Sequence, residues 1–147
     1  MSVNNDSMVY VDEAKNSRQK LQRKDLVYPE LCYQIIGILF AVWTEIGFGY
    51  KEKIYQSAIE HAFTQSSIKF HRELPVKIQF KGKEVGIYYF DFLVDKKVVL
   101  EIKVRNFFSK KDINQLYSYL KAMKLKLGII AHFTRTGVKF KRIVNLV

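Results

Sequence analysis

Three ionisable side chains occupy positions in two apolar segments where strands normally carry hydrophobic residues. Asp91 lies within residues 85–94, which are rich in Ile, Tyr, Phe and Val, and Glu101 and Lys103 lie within residues 98–104. Both segments are predicted strands. Because a buried charge is costly unless it is paired or bound to a metal, we expect the two carboxylates and the ammonium group to be retained for a chemical use.

The link between the two strands determines whether these groups meet. If residues 95–97 form the loop, residue 94 pairs with residue 98, and Asp91 pairs with Glu101. Opposed residues of an antiparallel pair point to one face, and Glu101 and Lys103 share a face because side chains alternate along a strand. This register predicts that the three groups converge. A two-residue loop would turn Glu101 away, and no glycine marks the turn, so both registers stay open.

The other residues of this hairpin are apolar on both faces. Simple alternation predicts central strands that are covered on both sides. It assigns Ile87, Tyr89, Leu93 and Val99 to one face and Phe90, Phe92, Leu100 and Ile102 to the other.

Composition favours one folded domain with a basic second half. The chain has 147 residues, 48% of them hydrophobic, and a formal charge of +11. Residues 1–100 carry 14 basic and 12 acidic residues, whereas residues 101–147 carry 11 basic and 2 acidic. A concentrated basic excess suits a polyanion such as nucleic acid, and the alternative is an ordinary solvated surface. No membrane partner is expected, because no basic amphipathic helix stands apart from the core pattern.

Cysteine and histidine usage points away from disulfides and zinc. Cys32 is the single cysteine and lies in an apolar helical run, so we interpret it as a core residue. His132 lies in an apolar strand and is interpreted as a satisfied interior residue. The polar N-terminus lacks a signal-peptide pattern, and residues 35–43 are too few to span a bilayer, so we expect a cytoplasmic protein.

The periodicity of apolar residues predicts a mixed sheet flanked by helices. Residues 1–27 are interpreted as a polar tail with a short helix near residues 12–23, and residues 28–147 as the domain. The order helix, helix, three strands, helix, strand is typical of an α/β or α+β domain. Predicted helices cover residues 29–43, 51–65 and 112–123, and predicted strands cover about residues 72–80, 85–94, 97–104 and 127–133. A short last strand over residues 138–146 is left open as an addition to this order.

A series of motifs extends the pattern beyond the hairpin. An Asp followed by Glu-x-Lys on the adjacent strand resembles the PD-(D/E)xK nuclease superfamily. Gly49, Glu52 and Tyr55 match the Gly-x-x-Glu-x-x-Tyr signature of its GxxExxY family. The resemblance covers about residues 30–145 and implies an α/β, restriction-endonuclease-like core in the order ααβββαβ. Further matching segments are residues 73–76, 115–120, 128–133 and 141–143, and the departures are Trp43, Phe48, Phe90 and His132.

The resemblance also implies roles for the matching residues. Asp91 and Glu101 would bind Mg²⁺ or Mn²⁺, with Glu52 as a further ligand. Lys103 would orient the attacking water or stabilise the developing charge. Gln115 would hydrogen-bond a carboxylate or a phosphate. Each role has a structural alternative. Asp91, Glu101 and Lys103 could form a salt-bridged hairpin on a solvated face, Glu52 could be a surface glutamate, and Gln115 could occupy an ordinary polar helix position.

These roles imply a Mg²⁺-dependent nuclease that hydrolyses phosphodiester bonds in nucleic acid, with DNA as the expected substrate. The alternatives are a nucleic-acid-binding module with little or no turnover and a scaffold protein whose basic half binds an acidic partner. A homodimer stays open, as do RNA as substrate and the choice between endo- and exonucleolytic attack. The expected phosphate and base contacts are Tyr119, Lys110, Lys111, Lys121 and Lys124.

Overall fold

One sheet and three helices make up residues 9–14 and 27–146, the part of the chain that this computed structural model describes. The helices are α1 (Pro29–Ile46), α2 (Glu52–Gln65) and α3 (Lys110–Met123). The strands are β1 (Val9–Ala14), β2 (Phe70–Phe80), β3 (Lys83–Val94), β4 (Val98–Lys103), β5 (Leu127–Thr134) and β6 (Gly137–Asn145).

The described strands form one mixed sheet in the order β1-β6-β5-β4-β3-β2. Strands β4 and β5 run parallel, and every other neighbouring pair is antiparallel. A parallel pair needs a crossover connection, and α3 provides it between β4 and β5. The predicted α/β class with a mixed, helix-flanked sheet is confirmed.

The N-terminal interpretation needs one correction. Residues 9–14, assigned to a polar tail, form the edge strand β1 and pair antiparallel with β6 from Val9 opposite Asn145 to Ala14 opposite Phe140. The helix predicted near residues 12–23 is therefore wrong for its first three positions, because pairing with an open sheet edge overrides local helix propensity. The remainder of that predicted helix lies outside the described residues.

Helices cover both faces of the central strands. Helix α1 starts at Pro29, which suits a first helical position, and ends at Gly47, where φ is +76°. Helices α1 and α2 pack on one face, and α3 packs on the other through Leu116 and Leu120. Strand β4 is consequently buried on both sides from Val98 to Ile102, as the apolar pattern predicts.

Strand β3 leaves β4 at Asp91 but stays paired with β2. The β3–β4 ladder ends at Phe92 opposite Leu100, whereas the β2–β3 ladder continues to Phe80 opposite Lys83. Residues 74–90 therefore extend as a two-stranded hairpin, which we name the β2–β3 ribbon. One face of this ribbon packs on α3, and the other face exposes large side chains such as Ile87 and Tyr89.

Simple alternation fails at the base of the ribbon. Phe90 packs with the α3-side cluster that includes Leu93 and Val99, whereas Phe92 faces α1 and α2. The reason is a change of pleat opposite Asp91, where Glu73 adopts a left-handed conformation with φ of +54°. The prediction of full coverage is wrong for the outer half of β3, since Ile87 is 46% exposed and Tyr89 57%.

Candidate active site

The hairpin adopts the register that brings the acidic residues together. Val94 pairs with Val98 and Leu93 with Val99, so residues 95–97 form the connection as the first alternative predicts. Asp95 and Lys96 take positive φ angles of 51° and 57°, which makes the turn without a glycine. Continuing this register places Asp91 opposite Glu101.

Beyond the last backbone pair of the β3–β4 ladder, the carboxylates of Asp91 and Glu101 accept hydrogen bonds from backbone amides of the neighbouring strand. The backbone amide of Ile102 donates to Asp91 Oδ2 at 2.7 Å. The backbone amide of Asp91 donates to Glu101 Oε1 at 3.1 Å. Each acidic side chain thus reaches across to the neighbouring strand, and the end of the β3–β4 ladder is lined by two carboxylates.

Both acids are held in an environment that disfavours their charge. Glu101 is 5% exposed. Burial and then the negative charge of Asp91 raise the pKa of Glu101 to about 8, against the smaller opposing effects of the Asp91 amide, Lys103 and Tyr88. Burial also raises the pKa of Asp91, and the Ile102 amide and Lys103 oppose that rise. A cation placed between the two acids would relieve this repulsion.

Lys103 lies at the end of β4, in register with His132 on β5. Its positive charge opposes the rise in the pKa values of Asp91, Glu101 and Glu52, so it lies within electrostatic reach of all three. The ion pairs within residues 27–146 nevertheless do not include Lys103. Among the described residues, its ammonium group is therefore within electrostatic reach of Asp91 and Glu101 but forms an ion pair with neither.

Glu52 begins α2 on the same side of the site. Burial, followed by the charge of Asp91, raises the pKa of Glu52. Its Oε1 accepts a hydrogen bond of 3.4 Å from Gln56, and Gln56 also lowers the pKa of Asp91 by hydrogen bonding. Tyr55 packs in the core, and its hydroxyl donates to the Gly47 carbonyl at 2.7 Å, which ties the start of α2 to the end of α1.

The three acids expected to bind metal do not form a ready-made ligand set. In the described part of the chain, no three His, Cys, Asp or Glu side chains converge so that they could hold a metal ion. The donor chemistry of the central pair still fits a hard divalent cation, because Asp91 and Glu101 offer only carboxylate oxygens. Glu52 would have to move closer to join them.

Gln115 and Tyr119 lie one turn apart on α3 but contact each other rather than a carboxylate. Gln115 Nε2 donates to Tyr119 Oη at 3.4 Å. The Tyr119 ring stacks on Tyr88 with 4.3 Å between ring centroids. The Tyr88 hydroxyl donates to Glu101 Oε2 at 3.2 Å, so Tyr88 connects this α3 pair to the acidic centre. Tyr88 was not predicted from the sequence, because nothing there distinguishes it from the other aromatic residues of β3.

Arg72 on β2 is a second site residue that was not predicted from the sequence. Its guanidinium donates to Glu60 at 2.9 Å and to Gln56 Oε1 at 3.1 Å, and it lies over the Phe92 ring at 5.6 Å. Arg72 thereby holds Gln56 close to Asp91. Arg72 directly precedes Glu73, which adopts a left-handed backbone conformation. The sequence gives no sign of this conformation, because the position is not a glycine, so the direction of the Arg72 side chain could not be predicted.

His132 is buried but not satisfied, so our interior-satisfied interpretation is wrong. The residue has no exposed surface, and among the described residues neither ring nitrogen has a hydrogen-bond partner. Its ring stacks on Phe108 at 3.9 Å. Burial and then the charge of Arg105 lower its pKa to about 4, which keeps the imidazole neutral.

The four lysines expected to contact phosphates are all exposed. Lys110, Lys111 and Lys121 belong to α3, and Lys124 follows it as the C-cap in a left-handed conformation. The ammonium of Lys121 lies 5.6 Å from the centre of the Tyr117 ring. These lysines give α3 a basic outer surface on the side of the sheet that Tyr88 and Tyr119 occupy.

Comparison with known proteins identifies the fold family. A family model of the PD-(D/E)XK nuclease superfamily matches residues 29–143. The chain belongs to the PD-(D/E)XK nuclease superfamily. The matched region includes Asp91, Glu101 and Lys103, and the restriction-endonuclease-like fold class is confirmed. Members of this superfamily are usually nucleases that use divalent metal ions.

Two further comparisons add little to this assignment. The chain is similar to a solved structure described as "Crystal structure of SSO0001", with 19% identity and a TM-score of 0.48. The similarity covers 82% of this chain and 58% of that chain, so this chain spans little more than half the length of that protein. No curated protein matches. Within the described residues of this superfamily member, none of the helices has the length and apolar character needed to cross a membrane.

Proposed function

We propose that this PD-(D/E)XK protein is a cytoplasmic, metal-dependent nuclease of the GxxExxY family that hydrolyses phosphodiester bonds in DNA. The observation that carries the proposal is the meeting of Asp91 and Glu101 at the end of the β3–β4 ladder, with Lys103 within electrostatic reach. A purely structural hairpin would gain little from a buried glutamate whose pKa is raised by burial and by the charge of the neighbouring Asp91.

Asp91 and Glu101 are the residues that would hold Mg²⁺ or Mn²⁺, and Glu52 would add an oxygen from α2. When bound, such an ion polarises a phosphoryl oxygen and acidifies a water molecule. Lys103 orients the attacking water or stabilises the charge that develops on the phosphoryl group. Gln56, held by Arg72, keeps Asp91 in place, and Tyr88 does the same for Glu101.

The phosphate backbone would be held by the exposed lysines of α3, with Tyr119 beside them. Lys110, Lys111, Lys121 and Lys124 are all exposed, and residues 101–147 carry a net charge of +9. Contacts of this kind are independent of nucleotide sequence and weaken steeply with salt. They support nucleic acid as the partner and do not by themselves distinguish DNA from RNA.

The test is metal-dependent cleavage by the wild-type chain and a matched pair of lysine variants. Plasmid and single-stranded DNA are incubated with Mn²⁺ or with EDTA. Lys103→Ala should lose at least about 100-fold in rate, because a residue that stabilises transition-state charge contributes on that scale. Lys97→Ala, which changes an exposed lysine in the turn, should cleave like the wild type. Equal cleavage by wild type and Lys103→Ala would refute the assignment.

A nucleic-acid-binding module without turnover is the second candidate. It is favoured by the lack of a three-residue metal cluster among the described side chains and by the raised pKa of Glu101, about 8. Binding of labelled DNA in EDTA with a steep dependence on salt, together with no cleavage in Mn²⁺ or Mg²⁺, would establish this alternative.

A further inference from the structure

One face of the β2–β3 ribbon exposes large apolar side chains in a continuous row. Along β3 the row consists of Tyr89 at 57% exposure and Ile87 at 46%, followed by Val85 at 57%, which has no partner because the β2–β3 register shifts at Ile78 and Gln79. Pro75 pairs with Tyr89 and Lys77 with Ile87, which places both β2 residues beside this row, and both are exposed. We name these five residues the open face of the ribbon.

The ribbon already has a packed face, so the exposed row is not needed to hold the ribbon on the domain. Its opposite face packs against α3, where Val76 is 7% exposed and the Tyr88 ring stacks on Tyr119. A ribbon already anchored on one side gains no fold stability from apolar residues on its other side. Contiguous exposed apolar surface of this kind usually marks a binding site.

The charge around the open face favours an anionic partner. The ribbon carries Lys77, Lys81 and Lys83, and its one acid, Glu84, lies 3.9 Å from the Lys77 ammonium. At the tip, Phe80 is 62% exposed, with the Lys81 ammonium 5.4 Å from its ring centre. Alternation along β2 places Phe80 on the side of Val76 and Ile78, so it does not belong to the open face. An exposed tyrosine ring beside lysines suits a nucleic-acid strand, because a base stacks on the ring while phosphates meet the cations.

The ribbon also starts at the proposed catalytic centre. Tyr89 lies two residues before Asp91, and the β3–β4 ladder ends at the next residue, Phe92. From Tyr89 to Lys83 the strand extends about 20 Å, the length of a few nucleotides. A strand lying on the open face would therefore lead directly to Asp91.

We propose that the open face binds a single-stranded segment of the nucleic acid on which the proposed nuclease acts. This inference rests on the proposed function and extends it to the substrate class. Tyr89 stacks on an unpaired base, Val85 and Ile87 contact sugars and base edges, and the ribbon lysines meet phosphates. A duplex offers none of its base faces to such a surface, so single strands are favoured over duplexes.

The experiment measures binding separately from cleavage. Fluorescence anisotropy in EDTA follows a labelled single-stranded oligonucleotide and a duplex of the same sequence. Tyr89→Ala should weaken single-strand binding by about 5-fold or more, whereas Tyr89→Phe, which keeps the ring, should restore it. Leu146→Ala, at an apolar position of 67% exposure outside the ribbon, should bind like the wild type. Thermal melts establish that each variant is folded.

The outcomes separate this inference from the proposed function. Cleavage by the wild type with unchanged single-strand binding by Tyr89→Ala would overturn the inference and leave the nuclease assignment standing. Ribbon-dependent binding without any metal-dependent cleavage would refute the nuclease assignment and leave the binding role of the open face standing. Equal losses for duplex and single strand would refute the single-strand preference. Light scattering that shows a wild-type dimer and a Tyr89→Ala monomer would assign the open face to a second copy of the chain and overturn the inference.

Discussion

The carboxylate of Asp91 takes the place of a backbone carbonyl at the end of the β3–β4 ladder. Its Oδ2 accepts the Ile102 amide at 2.7 Å, one step beyond the last backbone pair between Phe92 and Leu100. The same side chain therefore stabilises the sheet and forms part of the proposed centre. Its two roles can be separated by substitution.

Asp91→Asn and Asp91→Ala should differ in stability but not in activity. Asparagine keeps an acceptor for the Ile102 amide, whereas alanine leaves that buried amide unpaired, at a cost of about 1–3 kcal/mol. Neither variant supplies a carboxylate, so both should lose metal-dependent cleavage. Urea unfolding at neutral pH measures the difference. Equal stability of the two variants would show that the 2.7 Å bond contributes nothing to the fold.

Glu101→Gln should be more stable than the wild type at alkaline pH. The folded-state pKa of Glu101, about 8, lies above the ordinary value of 4.5, so the folded state holds the proton more tightly. Stability from this group is present below pH 4.5 and is lost as pH rises through about 8. The difference should approach roughly 5 kcal/mol at pH 9, because each tenfold change in proton affinity between the folded and unfolded states corresponds to about 1.4 kcal/mol.

Urea midpoints of both proteins in EDTA, at pH 5 and pH 9, test this prediction. Other titrating groups are common to the two chains and cancel in the comparison. A wild-type advantage that grows between these two pH values would contradict the assigned burial of Glu101.

Tyr88→Phe should weaken metal binding without unfolding the protein. Phenylalanine keeps the stacking on Tyr119 but removes the hydroxyl that donates to Glu101 Oε2 at 3.2 Å. Loss of an outer partner of a metal ligand typically costs about 10- to 100-fold in affinity or activity. Calorimetric titration with Mn²⁺ and cleavage assays measure the loss, and Tyr33→Phe on α1 is the control.

Most of the scaffold could be predicted from the sequence because its signals are local. Helical periodicity gives the three helices, and short apolar runs give β4 and β5. The register of Asp91 with Glu101 was one of two alternatives, and the structure has that one because Asp95 and Lys96 adopt positive φ angles. Non-glycine residues rarely take such angles, so no turn signal was present to read.

The parts that escaped prediction depend on contacts between distant segments. Tyr88 meets Glu101 because β3 changes its pleat opposite Glu73, and Arg72 reaches Gln56 across the α2–β2 boundary. Strand β1 forms only because β6 offers an open edge. Period-two alternation contains no information on any of these contacts, so it misplaced Phe90 and overstated the burial of Tyr89.

His132 should make the wild type sensitive to acid. Its folded-state pKa, about 4, lies below the ordinary 6.5, so its contribution to stability is present above pH 6.5 and is lost as pH falls toward 4. His132→Phe keeps a ring beside Phe108 and has no proton to accept. Thermal melts at pH 7 and pH 4.5 should show a smaller drop for the variant. An equal or larger drop would mean that His132 is not held neutral.

Gly128→Ala should destabilise the fold because α3 lies close to β5 at this position. A Cβ atom on Gly128 would lie 2.8 Å from Leu116 Cδ2 and 3.1 Å from Leu116 Cγ. Leu116 is 3% exposed and packed in the α3-side cluster, so it cannot simply move aside. Overpacking of this kind typically costs about 1–3 kcal/mol. The matched control is Gly86→Ala on β3, where an added Cβ meets nothing within 4 Å, so its urea midpoint should stay at or above that of the wild type. Similar midpoints for the two variants would show that α3 and β5 have room between them and that the contact does not set their spacing.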